Sequence, residues 1–114
     1  MANAFKTFTA NTIGFELTTI YTVGSNHSLS GSTDTLIGLT LANVTSGAVE
    51  CNVIHFSSAG VTTRLLANAP IPKGGALVPI GGEQKIVMEA GCSIKVSTNT
   101  ANSVDVILSV LKQT

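Results

Sequence analysis

Two histidines and two cysteines, His27, His55, Cys51 and Cys92, are the side chains from which this chain could assemble a nucleophile or a metal site. Zinc asks for three or four nitrogen, sulfur or carboxylate ligands at workable spacing, and no C-x-x-C pair supplies half of such a set. Cys51 and His55 share a strand face as an i, i+4 pair, but four residues of extended chain hold them about 13 Å apart. That is too far for a shared metal, or for a thiolate activated by an imidazole unless the fold brings in His27. His27 stands in a Ser/Gly loop, and Asp34, Glu50 and Asp105 are isolated carboxylates on strands. Gly74-Gly75 and Gly81-Gly82 lack both the G-x-x-x-x-G-K-[ST] frame and a following helix, so they are turn glycines rather than a phosphate cradle. Asn26-His27-Ser28 and Asn43-Val44-Thr45 match the glycosylation sequon but read as turns. The chain therefore reads as having no catalytic residue, no cofactor and no metal.

Composition narrows the partners. Six basic and six acidic residues cancel, and charged residues are 11% of the chain, against about 25% in typical soluble domains. What is left for the surface is Ser, Thr, Asn, Gly and apolar atoms, which suits a protein that covers much of itself in an assembly. With no basic stripe, no Trp and a single Tyr, Tyr21, nothing favours direct nucleic-acid binding. No run approaches the roughly 20 apolar residues of a membrane span, and Met1-Ala2-Asn3-Ala4-Phe5-Lys6-Thr7 lacks the form of a signal peptide. The expected product is soluble and made in a cytoplasm. Reducing conditions there favour free, buried thiols at Cys51 and Cys92, although their separate strands leave a bridge geometrically open.

The elements that would position these residues are strands. Phe5–Thr9 alternates as a short edge strand, and Ile13, Phe15 and Leu17 share one face. Thr18–Val23 is rich in β-branched residues. The polar stretch 24–33 reads as a loop. In Asp34–Val44, Ile37, Leu39 and Leu41 face one way; Ala48–Phe56 follows with Val49, Cys51 and Val53 alternating, and the two segments read as a hairpin. Val61–Leu66 returns, and three short strands follow between Pro70 and Val96, cut by Pro and Gly clusters that permit no long helix. Ser103–Lys112 closes the chain with two apolar faces, Val104, Val106, Leu108 and Val110 on one and Ile107 and Leu111 on the other. The expected core is Ile37, Leu39, Leu41, Val49, Cys51, Val53, Ile86, Met88, Ile94, Val96, Val104, Val106 and Leu108. About eight short strands with turns at this spacing predict an all-β fold, a single antiparallel β-sandwich or jelly-roll-like domain over 13–114. Residues 1–12 form either an N-terminal arm or an edge strand.

Several stretches, taken in order, carry a resemblance. They are Ile20-Tyr21-Thr22-Val23-Gly24, Leu36 to Thr45, Ala69-Pro70-Ile71-Pro72-Lys73-Gly74-Gly75, Gln84 to Gly91, and Ser103 to Leu111. Together they resemble small β-sandwich virion structural proteins of tailed bacteriophages, especially cyanophage-like ones. The resemblance spans roughly residues 3–112 and rests on the order of strand-and-turn patterns rather than on a catalytic signature. One departure is Cys92, where the pattern usually places an acidic residue that would hold turn amides.

The resemblance implies a virion component without enzymatic activity. The leading expectation is a capsid decoration or cement protein; a tail, neck or fibre-associated structural protein is the alternative, and a glycan-binding module a third, although the 24–33 loop carries no aromatic residue. Expected partners are further copies of the chain, as a homotrimer, and other virion proteins such as the major capsid protein. An apolar face in excess of what one sheet buries usually marks an interface. Ile107 and Leu111 on the last strand, with Phe5 and Phe8 near the amino terminus, are the interface candidates.

Overall fold

The structure is a computed structural model that describes residues 4–23, 33–81, 85–89 and 91–112. His27, Asn26 and almost all of the 24–33 loop lie outside the described residues. Nine strands follow one another: β1 (Ala4–Ile13), β2 (Thr18–Thr22), β3 (Thr33–Asn43), β4 (Val49–Phe56), β5 (Thr62–Ile71), β6 (Ala76–Ile80), β7 (Ile86–Glu89), β8 (Ser93–Thr98) and β9 (Val104–Lys112). Among the described residues no helix is long and apolar enough to cross a membrane.

The pairing is nested about the turn between β4 and β5. Those two strands form the innermost hairpin, β3 pairs with both β6 and β7, β2 with β8, and β1 with β9, all antiparallel. Successive pairs fall alternately into two sheets, one ordered β1-β9-β3-β6 with β7 also on β3, the other β2-β8-β4-β5. A long hairpin wound in this way is a jelly roll, the expected sandwich with the strand opposite β3 split in two. From Ala4 the amino-terminal segment is thus an edge strand of the five-stranded sheet, laddered to β9.

The inner faces meet in one core. Leu36, Leu39, Leu41, Ile71, Ile80, Met88, Ile94 and Leu108 are among its largest fully buried side chains. Of the expected core residues, all but Ile37 and Ile86 are buried, and Ile37 is the one that leaves the core. A bulge falls between Leu36, opposite Val110, and Gly38, opposite Ser109, so the period-two alternation is reset. Leu36 and Leu39 both face inward, Asp34 is carried in with them, and Ile37 becomes the surplus residue, half-buried. Ile86 is also only partly buried, packed on the core's margin.

Two local expectations are corrected. Gly14–Leu17 is a bend rather than a strand, so Ile13 is buried while Phe15 and Leu17 are exposed. The segments now called β3 and β4 do not form a hairpin; they belong to different sheets. Asn43 makes the corner. Its buried side-chain amide donates to the carbonyls of Gly47, Ile71 and Pro72, and its Oδ1 accepts from the Thr45 amide and hydroxyl. That side chain pins the turn to the far end of β5, so the chain crosses the sandwich instead of folding back in its own sheet. The same commitment closes the Asn43-Val44-Thr45 sequon to glycosylation.

Candidate assembly interface

The outer face of the five-stranded sheet is built row by row from cross-strand neighbours. Phe5, Leu111, Thr35 and Val87 lie side by side across β1, β9, β3 and β7. The next row along the strands is Thr7, Ser109 and Gly38, and beyond it come Thr9, Ile107 and Thr40. Asp105, Ala42 and Ala76 complete the face toward the other end. A mainly apolar row and a row centred on Ile107 thus flank a row of hydroxyls and glycine. Phe5 is 74% exposed, Val87 62% and Ile107 53%, whereas Leu111 is half-buried.

Charge is nearly absent from these rows. Two carboxylates stand at opposite ends of the face: exposed Glu89, two residues beyond Val87 on β7, and Asp105, whose Oδ1 accepts the Thr12 amide proton at 3.1 Å, where β1 turns through a positive φ. Between its ends the face carries no formal charge, so the cost of carboxylate and ammonium desolvation does not arise there, although its Thr and Ser hydroxyls need hydrogen-bond partners once covered.

Three of the four interface candidates, Phe5, Ile107 and Leu111, therefore share one outer face. Phe8 does not. It sits opposite the buried Leu108, packs against the core, and stacks on Tyr21 with ring centroids 4.3 Å apart. Alternation along β1 sends Phe5 out and Phe8 in, so the two cannot anchor the same contact. Val87 belongs to the face and was missed by sequence reasoning, because its neighbours across β3 depend on which strands pair. The exposed alternation Ile86-Val87-Met88 was the available signal.

The residues weighed for chemistry are dispersed. Cys51 and Cys92 are free and buried, and burial pushes the Cys51 thiol above its ordinary pKa. His55 lies half-buried near the end of β4, opposite Ile94. Among the described residues no group of three or more His, Cys, Asp and Glu stands close enough to hold a metal ion. Cys92 closes its turn without a carboxylate: its amide donates to Glu89 O, Gly91 N–H donates to Val23 O, and Val23 N–H donates to Cys92 O. Asp34 is wholly buried and accepts a hydrogen bond from the Tyr21 hydroxyl. Burial, and then that bond to Asp34, push the Tyr21 phenol well above its ordinary pKa. Both groups lie on the inner side of the sandwich, so they tie β2 to β3 rather than face a substrate.

Comparison of the chain with protein-family models, curated proteins and solved structures gives no match.

Proposed function

We propose that this chain is a non-enzymatic structural protein of a tailed-bacteriophage virion, a decoration or cement protein that lies on the head as a small closed oligomer. The observation that carries the reading is the outer face of β1-β9-β3-β7, charged only at its two ends, with Phe5, Val87 and Ile107 exposed on it. The sequence resemblance supports the same reading, and the jelly roll is a fold of many viral capsid proteins, although a fold by itself names no function. Size adds an argument. Four strands about 4.8 Å apart and six residues of strand length give a face of about 400 Å², half of the ~800 Å² per partner in a standard interface. A patch that small suits one contact among several, as in a ring of copies seated on a capsid, better than an isolated pair. A trimer, with each copy touching two neighbours and the shell beneath, supplies those extra contacts.

Quantitative mass spectrometry of purified phage particles that encode the chain tests this directly. Hundreds of copies per particle support decoration of the head. A few to dozens place the protein at the tail, neck or fibre, and its absence from particles ends the virion reading.

A further inference from the structure

The outer face of the four-stranded sheet has a different build. Arg64, Ile54 and Lys95 are direct cross-strand neighbours on β5, β4 and β8. Beside them, Asn52 and Ser97 pair across β4 and β8. A cleft of about 390 Å³ opens here, with Ile54 and Leu17 as its apolar surfaces and Arg64, Asn52, Asn68 and Ser97 around them. That volume falls in the range of small-molecule sites, which combine an apolar lining with a few convergent polar groups.

How those polar groups are used decides the matter. At some corners of the chain amides and hydroxyls are consumed by turns: Asn43 spends every polar atom on its corner, and Thr98 and Ser103 bond each other and nearby carbonyls. In the cleft, Asn52 Oδ1 accepts from the Asn68 backbone amide at 2.9 Å and from Arg64 Nη1 at 3.1 Å. The first bond fixes the bulged β5 backbone, where Asn68 has φ +50°; the second aims the guanidinium. Among the described residues, no carboxylate pairs with Arg64, the chain's one arginine, and neither the Asn68 side chain nor the Ser97 hydroxyl has a protein partner. Lys95 is turned aside, its ammonium 4.3 Å from the centre of the Phe56 ring.

We infer that this cleft binds a carboxylate-bearing saccharide, with the sugar's acid group on Arg64. A guanidinium already steered by one hydrogen bond presents its remaining donors as a fork, the geometry that matches a carboxylate. Asn68 and Ser97 supply a donor–acceptor pair for ring hydroxyls, and Ile54 and Leu17 take the sugar's C–H face. No aromatic ring lines the cleft, so the affinity is millimolar for a single residue and gains only by repetition along an oligomer. The cleft lies on the side of the sandwich opposite the β1-β9-β3-β7 face, so it stays open when that face is covered. The inference does not depend on where the protein sits in a virion.

Titrating the isotope-labelled protein with glucuronate, followed by amide NMR shifts, tests it. Glucuronate is expected to shift Asn52, Ile54, Asn68 and Ser97 saturably, while glucose and acetate, each lacking half of the contacts, bind at least about fivefold more weakly. Arg64→Gln is expected to weaken binding about tenfold or more, which is about 1.4 kcal/mol. Arg64→Lys, which keeps the charge without the fork, falls between, and Lys95→Gln leaves binding unchanged. Ser97→Ala weakens binding without touching the Arg64–Asn52 bond, which covers the case in which Arg64 variants lose the β5 bulge. No saturable shift up to about 50 mM glucuronate overturns the site. Equal binding of acetate or inorganic phosphate overturns the saccharide, leaving a generic anion site.

Discussion

The two outer faces of this sandwich are made from the same strand alternation, yet they treat polar groups in opposite ways. Across β1-β9-β3-β7 the outward residues are Thr, Ser, Gly, Ala and isolated large hydrophobics, with charge confined to Asp105 at one end and Glu89 at the other. Across β8-β4-β5 the outward residues include Arg64, Lys95, Asn52 and Ser97 around a floor made by Ile54, only 4% exposed. Covering the middle of the first surface desolvates hydroxyls rather than charges, whereas covering the second desolvates charged groups that can donate to a partner. One side thus suits shape-driven packing against protein, and the other suits a polar ligand. Both depend on the shared core to hold their rows in register.

The largest expected effect comes from that shared core. Leu39 is fully buried, and its truncation to Ala should destabilise the fold by about 2–5 kcal/mol, read as the shift in a urea unfolding curve. Both faces should fail together in this variant. A loss below about 0.5 kcal/mol is the behaviour of a surface position and would contradict the register given for β3.

Asn43→Ala comes next. It removes an amide that donates to three carbonyls and a carbonyl oxygen that accepts two bonds at the corner between the sheets. Leaving the Ile71 carbonyl without that donor should cost about 1–3 kcal/mol. The sharper outcome concerns the comparison: β5, which carries Arg64 and Asn68, should loosen before β1 and β9 do. Amide hydrogen exchange on β5 against β9 reads that difference, and equal acceleration in both sheets would show that the corner serves the whole fold alike.

How much of this was legible in the sequence depends on whether a feature was local. Period-two alternation placed Leu39, Leu41, Val49, Cys51, Val53, Val104, Val106 and Leu108 on the inner side, since each lies in an uninterrupted stretch of strand. Ile37 was misread because a bulge is an event in pairing, set by how β3 meets β9, and nothing in Leu36-Ile37-Gly38 alone announces it beyond the glycine. The separation of β3 from β4 was hidden for a similar reason, since Asn43 reaches residues 28 and 29 positions away. Phe5, Ile107 and Leu111 stood out as apolar positions in excess of one buried face, whereas Phe8 looked the same in sequence and only the phase of β1 distinguishes it. The Arg64 cleft left no trace, because Asn52, Arg64, Asn68 and Ser97 come from three strands and meet through two bulges.

A third effect separates the core's polar contact from either face. The neutral phenol of Tyr21 is favoured in the folded protein by burial and by Asp34, so its pKa lies above the ordinary value of 10.0. Its contribution is whole below about pH 10, and it is lost as pH rises further, because the unfolded chain ionises first. Tyr21→Phe should be less stable at pH 7, having taken a donor from buried Asp34, but should lose less stability between pH 9 and about pH 11 than the parent does. Parallel pH profiles for parent and variant would refute the assignment.

The smallest effect on the folded chain, and the most telling for the comparison, is expected at Ile107. The side chain is more than half exposed, between Thr9 and Thr40, so Ile107→Asp should change stability by no more than about 0.5 kcal/mol. Self-association should respond far more. A carboxylate placed there, one row from Asp105, must shed its hydration when the face is covered, with no cation among the neighbouring rows to receive it. Light scattering across a micromolar concentration series should therefore show the parent assembling and the variant monomeric, at nearly equal melting temperatures. Lys95→Asp, a matched change on the opposite face, should leave assembly intact. If the Lys95 variant dissociates and the Ile107 variant does not, the roles given to the two faces are reversed.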